Sequence, residues 1–271
     1  MPELRRHEEV IFFDVKGEGK ETVIFLHNLM TDGEVWAAQI ARLRDRFRVV
    51  SIDARGHGKS TARVPFTIRD LADDISAVLD SLALERAVLV GLSIGASSAA
   101  ELALVRPAQV RGLVLMSPCA LGSTRMDSVR NSLFAETVKA LGMKHELARQ
   151  VTGYLFGPSF ASEHKDVVTH WEDKICALDP LGAYHALRAW NKRERVLERL
   201  QKIVAPCLIV VGEEDAANPP HFGEQACAHM PGSRLARVAR AGHTMPVERP
   251  DEIGILVDDF LTTLDLSAAS A

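Results

Sequence analysis

Residues 87–105 bring two different periodicities together at one point. Ala87–Leu92 is a continuous apolar run of strand length, and Ile94–Val105 continues with the apolar spacing of a buried helix. Between them lies Gly91-Leu92-Ser93-Ile94-Gly95. A chain that passes from strand to helix through a single residue must turn sharply and run close to its neighbours. The small residues at 91 and 95 permit that approach. The same turn lifts one hydroxyl out of the sheet, which makes Ser93 a candidate nucleophile.

Two downstream signals follow in the order such a nucleophile needs. Residues 207–211 form an apolar strand of the buried parallel type, and Gly212-Glu213-Glu214-Asp215 closes it with a carboxylate at its C-terminal end. Asp215 is the candidate orienting acid. A short strand near residues 235–238 then leads to Ala241-Gly242-His243-Thr244-Met245-Pro246, with a helix opening at Pro250-Asp251-Glu252. His243 is the candidate base. The order Ser, acid, His differs from the chymotrypsin-like and subtilisin-like orders and is that of the nucleophile-elbow hydrolases.

The rest of the chain extends the same alternation. Residues 10–15, the turn Gly17-Glu18-Gly19 and Thr22–Leu26 read as a hairpin feeding a sheet. A helix over residues 34–43 precedes strand Arg48–Ile52. A second helix carries Ile68, Leu71, Ile75, Val78, Leu79 and Leu82 on one face, and strand Val110–Met116 follows the elbow helix. This pattern predicts an α/β fold, a mostly parallel twisted sheet with helices on both faces. Ligands on such sheets bind beyond the C-terminal strand ends, where Ser93, Asp215 and His243 all fall.

From about residue 120 to 195 the alternation stops and only helical stretches are expected, broken at Gly142, Gly153, Gly157-Pro158 and Pro180. The expected division is a core of residues 1–119 and 196–271 with a helical cap over residues 120–195. The cap segment holds seven of the chain's 15 aromatics, among them Trp171 and Trp190. These two, with Met30, are candidate substrate contacts. The tail over residues 267–271 is expected to fray.

With the Ser, Asp and His motifs in hand, the chain resembles the α/β-hydrolase superfamily over nearly its whole length. Phe25-Leu26-His27-Asn28-Leu29 resembles the family's strand ending in His-Gly, and Ser51 to Ser60 its Asp-x-Arg-Gly-x-Gly-x-Ser segment. The resemblance implies an oxyanion hole formed by the backbone N–H groups of Leu29 and Ile94. Asn28 replaces the family's Gly, and Asn tolerates a left-handed backbone better than most residues. The style is that of small capped esterases, enol-lactonases and carbon-carbon bond hydrolases. A serine at position 93 argues against Asp-nucleophile dehalogenases and epoxide hydrolases.

Composition excludes several other classes. A net charge of −4 offers no footprint for nucleic acid or an anionic membrane. No segment approaches the roughly 20 apolar residues of a membrane span, and the N-terminus lacks the apolar core of a signal peptide, so a cytoplasmic monomer or small homo-oligomer is expected. Cys119, Cys176, Cys207 and Cys227 show no Cys-x-x-Cys spacing, and no His-Glu-x-x-His pattern occurs, so neither metal nor cofactor is expected. Gly58-Lys59-Ser60 imitates the end of a phosphate-binding loop, but the loop's first Gly would stand at Asp53. His27 and His57 read as structural hydrogen-bonding residues. The expected function is cofactor-independent hydrolysis of a carboxylic ester or lactone. The alternatives are carbon-carbon cleavage of ring-cleavage diketones by the same triad, and a ligand-binding member of the fold with little turnover.

Overall fold

The computed structural model describes residues 3–6 and 8–264. In chain order the elements are strands β1 (Glu3–Arg6), β2 (Glu9–Lys16) and β3 (Thr22–Leu26), helix α1 (Ala37–Leu43), strand β4 (Arg48–Ile52), helix α2 (Ile68–Ser81), strand β5 (Ala87–Leu92), helix α3 (Ile94–Val105) and strand β6 (Val110–Met116). Five helices follow: α4 (Arg125–Leu141), α5 (His145–Leu155), α6 (Pro158–Glu163), α7 (Lys165–Cys176) and α8 (Pro180–Asn191). Strand β7 (Cys207–Gly212), helix α9 (Pro220–Ala228), strand β8 (Arg234–Val238) and helices α10 (Met245–Glu248) and α11 (Pro250–Thr263) complete the chain. The expected fraying over residues 267–271 lies outside the described residues.

The eight strands form one sheet in the order β1-β2-β4-β3-β5-β6-β7-β8. Pairings from β4 through β8 are parallel, and β1 and β2 are antiparallel additions at one edge. The expected hairpin of β2 with β3 is corrected here. β2 pairs with β4, and β4 lies between it and β3. The Gly17-Glu18-Gly19 turn instead packs against the end of α1, where a Cβ on Gly17 would come within 2.1 Å of the Arg44 carbonyl oxygen. A β-sheet edge offers pairing to any strand of suitable pattern, and the short β1, which does hairpin with β2, occupies it.

Alternation along the strands sorts their side chains into two cores. Phe25, Val88, Val90, Val114 and Val210 face α1 and α11, joined by Trp36, Val257 and Phe260. Ile24, Leu89, Leu113 and Ile209 face α2, α3 and α9, joined by Ile75, Leu102 and Met230. With both faces of the central strands covered, no polar face remains there, which is why β3, β5 and β7 read as nearly unbroken apolar runs. Helix α2 starts at a capping box. Thr67 Oγ1 accepts from Asp70 N–H at 3.2 Å, and an Asp70 carboxylate oxygen accepts from Thr67 N–H at 2.8 Å.

On α2, Asp74 is buried against Arg55 through two hydrogen bonds of 2.6 and 2.9 Å, and Arg6 adds a third of 3.0 Å. Replacing Asp74 by Ala leaves the Arg55 guanidinium buried without its carboxylate. The expected cost is about 3–5 kcal/mol, read as a lower urea midpoint at unchanged slope. A midpoint equal to wild type would show that water or Glu9 replaces the lost partner.

Candidate active site

The elbow is built as its sequence requires. Ser93 adopts φ 57°, ψ −111°, a region costly for any residue with a Cβ and held only because the surroundings determine it. A Cβ on Gly91 would lie 2.5 Å from the Gly95 carbonyl carbon, and one on Gly95 would lie 2.3 Å from the Leu26 carbonyl oxygen. Neither site admits a side chain without moving backbone. Ser93 N–H donates to Met116 O at 2.9 Å, which ties the turn to the end of β6, and its residue is buried.

The next two strand ends supply the acid. Ser117 N–H donates to Val210 O at 2.9 Å, and Ser117 Oγ–H donates to Asp215 Oδ2 at 2.6 Å. Asp215 Oδ1 accepts the N–H groups of Ala217 and Asn218 at 2.9 and 2.8 Å. His243 Nδ1 lies 2.9 and 3.1 Å from the two carboxylate oxygens. Since a carboxylate only accepts, Nδ1 carries the proton and Nε2 is left as the acceptor. Among the described residues no hydrogen bond joins Ser93 Oγ to His243 Nε2. Asp215 and His243 are thus in direct contact.

The loop after β3 links the other parts. His27 Nε2 accepts from Ala54 N–H at 2.9 Å while its Nδ1–H donates to Asn28 O at 2.8 Å. His57 Nε2 accepts from Met30 N–H at 3.0 Å while its Nδ1–H donates to Arg55 O. Burial and then the neighbouring His27 push His57 down to about 3, so it is neutral. With both ring nitrogens engaged, neither histidine has an acceptor free for a substrate proton. His57 thereby anchors the loop after β3 through Met30, and His27 ties the same loop to Ala54.

Met30, not Asn28, takes the left-handed backbone, at φ 67°. Asn28 acts through its side chain. Its Oδ1 accepts from Thr31 Oγ1–H at 2.6 Å and its Nδ2 donates to Thr244 Oγ1 at 3.3 Å, which ties this loop to the residue after His243. A Gly there could make neither bond. The Met30 N–H is consumed by His57, whereas Leu29 N–H has no hydrogen-bond partner among the described residues. Ile94 N–H is the first of the four that α3 leaves without an intrahelical carbonyl.

The remaining candidates separate. Trp171 is buried with Ile175 and Ala148 in the apolar cluster that also holds the sheet residues Phe25 and Val90, and the Lys174 ammonium sits over its ring. Trp190 is half-buried and packs in the cluster that contains Ile94, Leu29 and Phe66, with the Arg193 guanidinium 3.9 Å from its ring centre. Ser117, Asn218, His57 and Glu248 were not singled out from sequence as site residues. Asn218 alone had a local signal, since an Asp accepting N–H groups two and three residues on is an Asx-type turn. Ser117 lies 98 residues from the acid it contacts.

A match to the alpha/beta hydrolase family extends over residues 23–253, from β3 through the first turns of α11. The chain belongs to that family. It is 27% identical over 247 residues to 3-oxoadipate enol-lactonase 1 of Acinetobacter baylyi, a similarity spanning 91% of each chain. Among solved structures, a thermophilic esterase from Thermogutta terrifontis superposes with a TM-score of 0.90 at 26% identity over 94% of each chain. The enol-lactonase of Burkholderia xenovorans superposes with a TM-score of 0.89 at 28% identity, covering 96% of this chain and all of that one. Among the described residues of this alpha/beta hydrolase, no helix is long and apolar enough to cross a membrane.

Proposed function

We propose that this alpha/beta hydrolase cleaves a carboxylic ester or lactone through an acyl-enzyme on Ser93. The observation that carries the reading is the His243 Nδ1 contact of 2.9 Å to Asp215, at the same end of the sheet as a serine held at φ 57° after β5. Esterase and enol-lactonase relatives support the bond type. His243 Nε2 takes the Ser93 proton as Oγ attacks the acyl carbon, and the N–H groups of Leu29 and Ile94 receive the developing oxyanion. The imidazolium then protonates the leaving oxygen. In the second half His243 takes a proton from water, the hydroxide attacks the acyl-enzyme, and Ser93 leaves with the proton returned. The steps need only water and the chain's own groups.

We further propose that residues 120–195 form a cap that selects the substrate, with Trp190 and Met30 closest to the reacting centre and Trp171 supporting the cap from within. The test is a panel of p-nitrophenyl esters of rising acyl length, lactones and ring-cleavage diketones on wild type, Ser93→Ala and Trp190→Ala. The expected result is turnover of esters or lactones that Ser93→Ala abolishes. Trp190→Ala should change the preference for bulky over acetyl esters by about tenfold, because a lost pocket contact acts on the remote group. Turnover of the diketones alone would move the protein to carbon-carbon hydrolysis, and binding without turnover on the whole panel to the ligand-binding reading.

A further inference from the structure

Behind His243 lies a second carboxylate. Glu248 ends α10 and is 3% exposed. Its Oε2 accepts the Gly242 N–H at 2.8 Å, from the residue immediately before the base, and the Gly157 N–H at 3.0 Å, from the residue that starts α6 in the helical insertion. Its Oε1 is buried without a partner. The two glycines meet backbone to backbone, since a Cβ on Gly242 would lie 2.1 Å from Gly157 N. A further bond from Thr244 N–H to Leu155 O at 2.8 Å closes the junction from the other side of His243. One carboxylate oxygen thus holds the loop of the base and the N-terminus of α6 together.

We propose that Glu248 is a positioning residue for His243, locking the backbone before the base to the start of α6. The inference rests on His243 as the base. Two charge-assisted acceptances from backbone N–H are stronger than neutral ones and fix the loop in one place. A carboxyl kept in this dry junction is costly to ionise, and burial raises Glu248 to about 7, with His243 and the two N–H groups opposing that rise. The other charged groups on the elements packed here are accounted for. Glu214 at the end of β7 accepts from Ser159 N–H at 2.9 Å, Arg249 donates to Ala239 O and Arg240 O, and Arg240 pairs with Glu163.

The experiment compares wild type, Glu248→Gln, Glu248→Asp and Glu248→Ala in two assays: phosphonylation by a fluorophosphonate probe, and kcat and KM for p-nitrophenyl acetate. Failure of the wild-type protein to form the adduct would overturn the Ser93 and His243 reading itself, independently of Glu248. Given a wild-type adduct, Glu248→Gln keeps an oxygen for both N–H groups and is expected to recover most of the kcat that Glu248→Ala loses. Glu248→Ala is expected to lose on the order of 10²-fold in kcat with little change in KM, since a loosened base is misplaced by a fraction of an ångström to one ångström. A folded Glu248→Ala with the kcat of wild type overturns the proposal. Where Glu248→Ala fails to fold, Glu248→Asp decides, because its shorter carboxylate cannot accept from both Gly242 N–H and Gly157 N–H, and a kcat equal to wild type there overturns the proposal as well.

Discussion

Ser93→Ala is expected to fold as wild type, lose about 10⁶-fold in kcat and form no adduct with an organophosphonate. Alanine keeps the Cβ, so the strained φ of 57° costs it no more than it costs serine, and the N–H bond to Met116 O is untouched. What disappears is the only oxygen the elbow presents at the start of α3, and with it the covalent intermediate. The residual rate over water would come from the Leu29 and Ile94 N–H groups and from binding. Intact-protein mass after incubation with the probe should rise by one adduct in wild type and by none in the variant. Wild-type turnover by the alanine variant would sink the nucleophile assignment.

Asp215→Asn is expected to lose about 10⁴-fold in kcat while unfolding at a similar midpoint. The partners dictate how the amide must sit. Oδ1 faces two backbone N–H donors, from Ala217 and Asn218, so the oxygen of Asn must stay there. The amide nitrogen then takes the place of Oδ2, where the Ser117 hydroxyl can rotate to accept. That nitrogen presents an N–H to His243 Nδ1, which must become the acceptor, and the proton moves to Nε2. An imidazole protonated at Nε2 cannot take the Ser93 proton. Glu213→Gln and Glu214→Gln should be far milder. Glu213 is exposed, and Glu214 is turned to Ser159 of the insertion, whose hydrogen bonds hold its carboxyl below the usual range. A small loss in Asp215→Asn beside a large one in either Glu variant would move the acid to that residue.

Local chemistry made most of the frame readable in the sequence. Strand and helix boundaries from β4 to β6 follow from apolar runs ended by turns, because burial on both sheet faces leaves no room for polar residues within a strand. The elbow turn was legible because no side chain fits at 91 or 95, and the candidate acid and base were legible because each follows a strand in chain order. Pairing was not legible. Residues 10–15 and 22–26 carry the pattern of a hairpin, but which edge a strand joins depends on the sheet already formed, and β4 intervenes between them. The role of Asn28 likewise depended on Thr244, 216 residues away, which turned an expected backbone substitution into a side-chain tether. Ser117 and Glu248 belong to the same class. A polar residue in a sequence carries no sign of its partner, and only the folded chain decides that one hydroxyl closes on Asp215 and one buried carboxylate joins Gly242 to Gly157. Periodicity and turn chemistry act over a few residues and are written in the chain, whereas hydrogen bonds between strand ends exist only once the sheet has brought those ends within 3 Å or so of each other.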